Sequence, residues 1–86
     1  MTNEEKPFWV YILRCADGTL YTGMTDDVDR RAGVHNAGKG AKYTRSRLPV
    51  TVVYREECPD RPAALKREAA IKKMPRAKKM ALIETR

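Results

Sequence analysis

Histidine occurs once in this chain and cysteine twice, and neither cysteine lies in a CxxC or a Cys/His cluster. A structural zinc site is therefore not expected, and Cys15 and Cys58 read as reduced thiols of a cytoplasmic protein. No apolar run approaches the ~20 residues that a membrane span needs. Residues 1–6 are polar, lack the apolar core of a signal peptide, and are expected to be flexible. With 86 residues there is material for one small domain, residues 1–86 with a core over about 8–84, and none for a regulatory or targeting domain. Internal repeats and low-complexity tracts are also missing.

Acidic residues are scarce in two places. The net charge is +7, and residues 30–47 contain Arg30, Arg31, Lys39, Lys42, Arg45 and Arg47 with no Asp or Glu. Residues 61–86 hold nine Lys/Arg against only Glu68 and Glu84. The other acids, among them Asp17, Asp26, Asp27, Asp29, Glu56, Glu57 and Asp60, lie outside both stretches. Such segregation makes basic surfaces that attract polyanions, nucleic acid above all. Solubility alone does not require acid-free stretches.

What the chain does have is a pair of tyrosines ten residues apart, in Trp9-Val10-Tyr11 and Tyr21-Thr22-Gly23. Residues 8–15 and 19–22 are aromatic and β-branched and read as two strands around the turn signal Asp17-Gly18. A two-residue loop would pair 14 with 21 and put the phenols on opposite faces. A three-residue loop, Ala16-Asp17-Gly18 with Gly18 left-handed, pairs 13 with 21 and 11 with 23. The tyrosines then share one face as diagonal neighbours about 7–8 Å apart. Turn statistics do not separate the two registers. The second gives Gly23 a purpose, leaving open space opposite Tyr11, and is the expectation.

Thr25-Asp26-Asp27 opens a helix that runs to about Asn36 and stops at Gly38. Val28, Arg31, Ala32 and His35 fall on one stripe of it. Residues 38–47 read as a flexible basic loop and Val50 to Glu56 as a third strand. Asp60 and Pro62 start a helix over 61–73. Its inward stripe is expected at Ala64, Leu65, Glu68, Ile71 and Lys72, with Glu68 a carboxylate on an otherwise apolar face. Pro75 restarts a last helix through Glu84, with Ala77, Met80, Ala81 and Ile83 as its buried side. The order β-β-α-β-α-α predicts an α+β fold, a three-stranded, mainly antiparallel sheet packed by helices.

In this order the residues resemble the GIY-YIG nuclease superfamily, specifically its small stand-alone bacterial single-domain branch of largely uncharacterised role. Trp9-Val10-Tyr11 stands where the family has Gly-Ile-Tyr, and Tyr21-Thr22-Gly23 where it has Tyr-Ile-Gly. Arg31 with His35 fits its Arg-x-x-x-His, and Glu68 its helical glutamate. Trp9 replaces the family's first glycine, and no Asn follows position 36, where many relatives use one beyond the glutamate. The resemblance implies a phosphodiesterase using one divalent ion, Mg²⁺ or Mn²⁺, held by Glu68 and waters.

Phosphodiester hydrolysis needs an activated water and charge neutralisation at phosphorus. A tyrosine with a pKa of about 10 is a poor base unless a guanidinium and a metal favour its phenolate. Tyr11 or Tyr21 is expected to take the water's proton while the other orients the water or the phosphate. Arg31 would hold the developing charge, and His35 would bond a tyrosine or the phosphate. Lys39, Lys42, Arg45, Arg47, Lys72 and Lys73 would grip the backbone with little base reading. The expected substrate is DNA ahead of RNA, in branched, damaged or single-stranded forms such as repair presents. The stacking surfaces of Phe8, Trp9 and Tyr43 do not tell the two apart.

Each residue also has a structural reading. Strand tyrosines often only pack a sheet, Arg31 can pair with Asp27 and Glu68 with Lys72, and a lone histidine is often a core hydrogen-bonding group. Cys15 reads as a small buried filler. The competing functions are a non-catalytic nucleic-acid-binding module and a nuclease subunit that needs a protein partner for specificity.

Overall fold

The computed structural model describes residues 6–85. Apart from Lys6, the stretch expected to be flexible lies outside the described residues. Strand β1 (Phe8–Arg14) pairs antiparallel with both β2 (Leu20–Thr25) and β3 (Thr51–Cys58), giving the sheet order β2-β1-β3. Helices α1 (Val28–Asn36) and α2 (Lys42–Arg45) precede β3, while α3 (Arg61–Lys72) and α4 (Arg76–Glu84) follow it. This is the expected α+β architecture with one added helical turn. No helix among the described residues is long and apolar enough to cross a membrane.

The hairpin takes the three-residue loop. Gly18 adopts φ +86°, a left-handed conformation that costs glycine nothing. Its amide donates to Cys15 O at 2.9 Å, and Cys15 N donates to Thr19 O at 2.8 Å. Asp17 takes both the amide and the hydroxyl of Thr19, bonds that hold its carboxyl below the usual range. The register that follows is Tyr11↔Gly23 and Leu13↔Tyr21.

Alternation along β1 then builds two cores. Val10 and Ile12 face Tyr54, Cys58, Ala64 and Ile71, so α3 and α4 cover that side. Tyr11, Leu13 and Cys15 face Val28 and Val50 on the other, beneath α1. Between Ile12↔Tyr54 and Leu13↔Val52 the β1–β3 register slips by one residue, so Val53 is the extra residue of a bulge. The slip lets Tyr54 and Val53 both pack on the α3 side while Val52 packs on the tyrosine side, as a bulge permits.

Helix starts follow capping chemistry. Asp27 accepts from Arg30 N and Asp60 from Ala63 N, each satisfying an otherwise unpaired first-turn amide. At its other end α1 is tied by Asn36 to Val50, the residue just before β3. Its Oδ1 accepts from Val50 N at 2.7 Å and its Nδ2 donates to Val50 O at 3.1 Å.

Three expectations are corrected. Residues 38–47 are not simply a flexible loop, because α2 lies within them and buries Thr44. Leu65 is 48% exposed and Lys72 is exposed too: the inward stripe of α3 is set by Ala64 and Ile71, and both Leu65 and Lys72 sit about 100° round from it. On α4 the partly buried residues are Lys79, Met80, Leu82 and Ile83, whereas Ala77 and Ala81 are exposed. That helix lies against the core by Leu82 and Ile83, so its small residues face outward.

Candidate active site

Tyr11, Tyr21, Gly23, Arg31 and Glu68 line one open cavity of about 320 Å³, together with Arg30 and Val34. The edge strand β2 is what brings them together. Tyr11 and Tyr21 rise from the face covered by α1, and Arg31 comes down from α1 itself. Glu68 belongs to α3, which packs on the opposite face, and reaches the cavity past β2.

Gly23 makes the site possible at its floor. A Cβ there would lie 2.5 Å from Tyr11 Oη and 2.7 Å from its Cζ. The phenol end of Tyr11 therefore lies across the glycine backbone. Tyr11 is 2% exposed and bonds His35 Nε2 through Oη at 3.1 Å. His35 is fully buried, and its Nδ1 lies 2.8 Å from Thr44 Oγ1. The Thr44 hydroxyl in turn donates to Ala41 O at 3.0 Å. Tyr21 meets the His35 ring edge-on, with centroids 5.2 Å apart, and stacks on Tyr43 at 6.1 Å.

Burial pushes the Tyr11 phenol above its ordinary value of 10, with Tyr21 and Glu68 adding to the rise; a hydrogen bond from Arg31 and its charge oppose this and lose. The expectation that Arg31 favours the phenolate is thus met only in part: its effect is present, and desolvation exceeds it. Burial first, and the Arg31 charge second, hold the His35 imidazole below its ordinary 6.5. At neutral pH both groups are uncharged.

The structural alternatives divide. Asp27 pairs with Arg30 at 3.7 Å, as does Asp26 at 3.3 Å, so Arg31 faces the cavity instead. Glu68 does pair with Lys72, at 3.4 Å, although its side chain is only 17% exposed and lines the cavity as well. Cys15 is a buried member of the tyrosine-side core.

The six expected phosphate-gripping residues separate. Lys39, Lys42, Arg45, Lys72 and Lys73 are exposed. Arg47 is engaged with the protein: Nε donates to Asp17 at 3.2 Å, a terminal nitrogen donates to Tyr43 O at 2.7 Å, and the guanidinium lies 3.9 Å over the Tyr43 ring. Tyr43 is held by Tyr21 and Arg47 yet stays 38% exposed, so part of its ring remains open as a stacking surface.

Glu68 fits a hydrated hard cation better than a softer metal. Among the described residues no three His, Cys, Asp or Glu side chains gather into a metal-binding group. Magnesium needs only one or two carboxylates beside waters and phosphate oxygens. At about 30 Å³ per water, the cavity has room for roughly ten, enough for such an ion and a phosphate.

Sequence reading missed Arg30, Gly40 and Thr44. Arg30 was visible only as charge. Gly40 and Thr44 become relevant because α2 folds against His35, and no periodicity signals a four-residue helix.

The GIY-YIG catalytic domain matches residues 7–81. A UPF0213 protein of Streptococcus sanguinis is 55% identical over 82 residues, covering 95% of this chain and 94% of that protein. Another, from Halobacterium salinarum, is 53% identical over 73 residues, covering 85% and 95%. A UPF0213 protein from Bacillus halodurans, solved by solution NMR, is 45% identical with a TM-score of 0.61, covering 93% of this chain and 85% of that one. A protein from E. faecalis, also solved by NMR, is 41% identical with a TM-score of 0.63, covering 99% and 90%. With its two tyrosine motifs on one hairpin and the domain match spanning most of its length, the chain belongs to the GIY-YIG family.

Proposed function

We propose that this protein is a metal-dependent nuclease that hydrolyses phosphodiester bonds in nucleic acid, DNA ahead of RNA, with little sequence preference of its own. The convergence of Tyr11, Tyr21, Arg31 and Glu68 on one cavity supports this reading most directly. Arg31, with Arg30 beside it, draws the scissile phosphate in and holds its charge through fixed N–H donors. Glu68 is the residue that would hold Mg²⁺ or Mn²⁺. When bound, the cation supplies Lewis acidity at the phosphate and offsets negative charge on the leaving oxygen.

Tyr11 is the better general base of the two tyrosines because it has an outlet. Its phenol is protonated at neutral pH, so it must lose a proton as it gains one. Water gives a proton to Tyr11 Oη, and Tyr11 passes its own to His35 Nε2. The resulting hydroxide forms the new P–O bond, the opposite P–O bond breaks, and the leaving oxygen is protonated from solvent, to which His35 returns its proton back through Tyr11 before the next turnover. Tyr21 packs the His35 ring and borders the phosphate. Exposed Lys39, Lys42, Arg45, Lys72 and Lys73 contact the backbone, so affinity is expected to fall steeply with salt and change little with sequence.

The test is cleavage of single-stranded, duplex and branched DNA, and of RNA, with Mg²⁺ or Mn²⁺. Tyr11→Phe and Glu68→Ala are expected to lose roughly 10²–10⁴ in rate. Equal cutting by both variants and the wild type would refute the assignment. Binding that survives both substitutions without any wild-type cleavage would point to a binding module or to a missing protein partner.

A further inference from the structure

We infer that Thr44 is a positioning residue that fixes the tautomer of His35, and so the direction in which Tyr11 gives up its proton. The geometry stands without the nuclease proposal; its catalytic consequence rests on that reading. Thr44 is fully buried, and its hydroxyl has one proton to give. Ala41 O, 3.0 Å away, is a carbonyl and can only accept. With the hydroxyl proton directed there, Oγ1 presents a lone pair to His35 Nδ1 at 2.8 Å. Nδ1 must then carry the imidazole proton. A neutral imidazole has only one, so Nε2 is bare and accepts from Tyr11 Oη–H at 3.1 Å.

The opposite polarity is worse by one bond. If Thr44 donated to Nδ1, the lone pairs of Oγ1 and Ala41 O would face each other across 3.0 Å. Nε2–H would then point at the Tyr11 phenol oxygen, whose own proton would lose His35 as its acceptor. In the favoured direction all these groups are matched, and the phenol oxygen keeps a lone pair toward the cavity. That is the arrangement a water-deprotonating tyrosine needs.

Gly40 shows that the segment before α2 closes on this histidine. A Cβ at Gly40 would collide with the imidazole, nearest Nδ1. Glycine is required there by close approach, and the contact keeps water from competing with Thr44 for Nδ1. Segment 40–44 thus acts as a fixed cover over His35.

The chain has one histidine, so the imidazole nitrogens of tag-free protein can be read by ¹⁵N NMR without ambiguity, above neutral pH and without nucleic acid. The expected spectrum has Nδ1 protonated and Nε2 of the bare, pyridine-like type. Thr44→Ser is expected to retain that pattern, and Thr44→Val to shift the proton to Nε2. Cleavage should follow: Ser within about threefold of wild type, Val slower by roughly 10²-fold, as for loss of a group that orients a catalytic histidine. A wild-type spectrum with Nε2 protonated, or a Thr44→Val spectrum unchanged from wild type, overturns the inference. Should Thr44→Val not fold, the wild-type spectrum still decides. A wrong tautomer would leave the nuclease proposal intact, and an absence of cleavage would leave the tautomer lock intact.

Discussion

Gly23→Ala tests the geometry of the site with a single methyl group. The new Cβ would sit 2.5 Å from Tyr11 Oη, where ordinary contact begins at 3.4 Å, a shortfall of about 0.9 Å. Gly23 cannot retreat easily, because it pairs with Tyr11 in the middle of the β1–β2 ladder. Nor can the ring slide away freely, since Leu13, Cys15, Val28 and Val50 pack around it. The phenol oxygen must therefore swing by nearly an ångström, taking its 3.1 Å bond to His35 beyond hydrogen-bonding range. Overpacking costs about 1–3 kcal/mol, and leaving a buried donor unpaired costs a further ~1–3 kcal/mol. Alanine recovers about 0.5–1 kcal/mol that glycine loses in a strand.

The expected net loss is about 1–5 kcal/mol, which for a domain of this size lowers Tm by roughly 4–8 °C for each kcal/mol lost. Thermal and urea unfolding measure it directly. Combining Gly23→Ala with Tyr11→Leu removes the phenol that the methyl meets, so the two penalties should fall short of additivity. Under the proposed mechanism, displacing Tyr11 by this distance should also cost on the order of 10² in cleavage rate. A Gly23→Ala protein with wild-type stability would show that Tyr11 does not lie across the glycine, and the site as described would fail with it.

Other outcomes follow from single features. Thr22 Oγ1 is buried with no hydrogen-bond partner, so Thr22→Val should stabilise by about 1 kcal/mol and raise Tm by roughly 4–8 °C; an unchanged or lower Tm contradicts this. Because the folded protein holds His35 below 6.5, the unfolded chain takes up a proton that the folded one refuses. This contribution to stability is full above pH 6.5 and is lost as pH falls through the folded value. Urea unfolding between pH 7.5 and 5 should show that decline, and His35→Gln should flatten it. Arg47→Ala breaks the Asp17 pair and uncovers Tyr43, and should destabilise by about 1–2 kcal/mol. Lys42→Ala should leave stability within ~0.5 kcal/mol yet lower the salt slope of nucleic-acid binding by about one. Identical behaviour of these two variants would erase the distinction drawn between them.

What was legible in the sequence had local causes. Asp17-Gly18 set the hairpin, Asp27 and Asp60 set helix starts, and the three-residue loop, once chosen, put both tyrosines on one face. The fold and the family follow from those signals. Features that depend on contacts between distant segments were not legible. Leu65 looked inward because it is apolar, but Ala64 and Ile71 decide which stripe of α3 docks. Arg47 looked like one more phosphate ligand, since nothing local links it to Asp17, thirty residues earlier in the chain. Thr44 gave no signal for the same reason: its partner is the ring of His35, on another helix.

The position of β2 at the edge of the sheet explains why a three-stranded sheet suffices for this site. Helices cover both faces, and side chains on opposite faces of an interior strand cannot meet. Arg31 comes from the α1 layer and Glu68 from the α3 layer, so they can share a cavity only around a free edge. Gly23 lies on that edge strand, and its lack of a side chain lets the Tyr11 phenol lie across the strand toward that edge. A fourth strand added to β2 would close that edge and separate the carboxylate from the tyrosines, while leaving both cores packed. The edge that most sheets must protect against further pairing is here, at β2, where side chains of the two helical layers meet in one cavity.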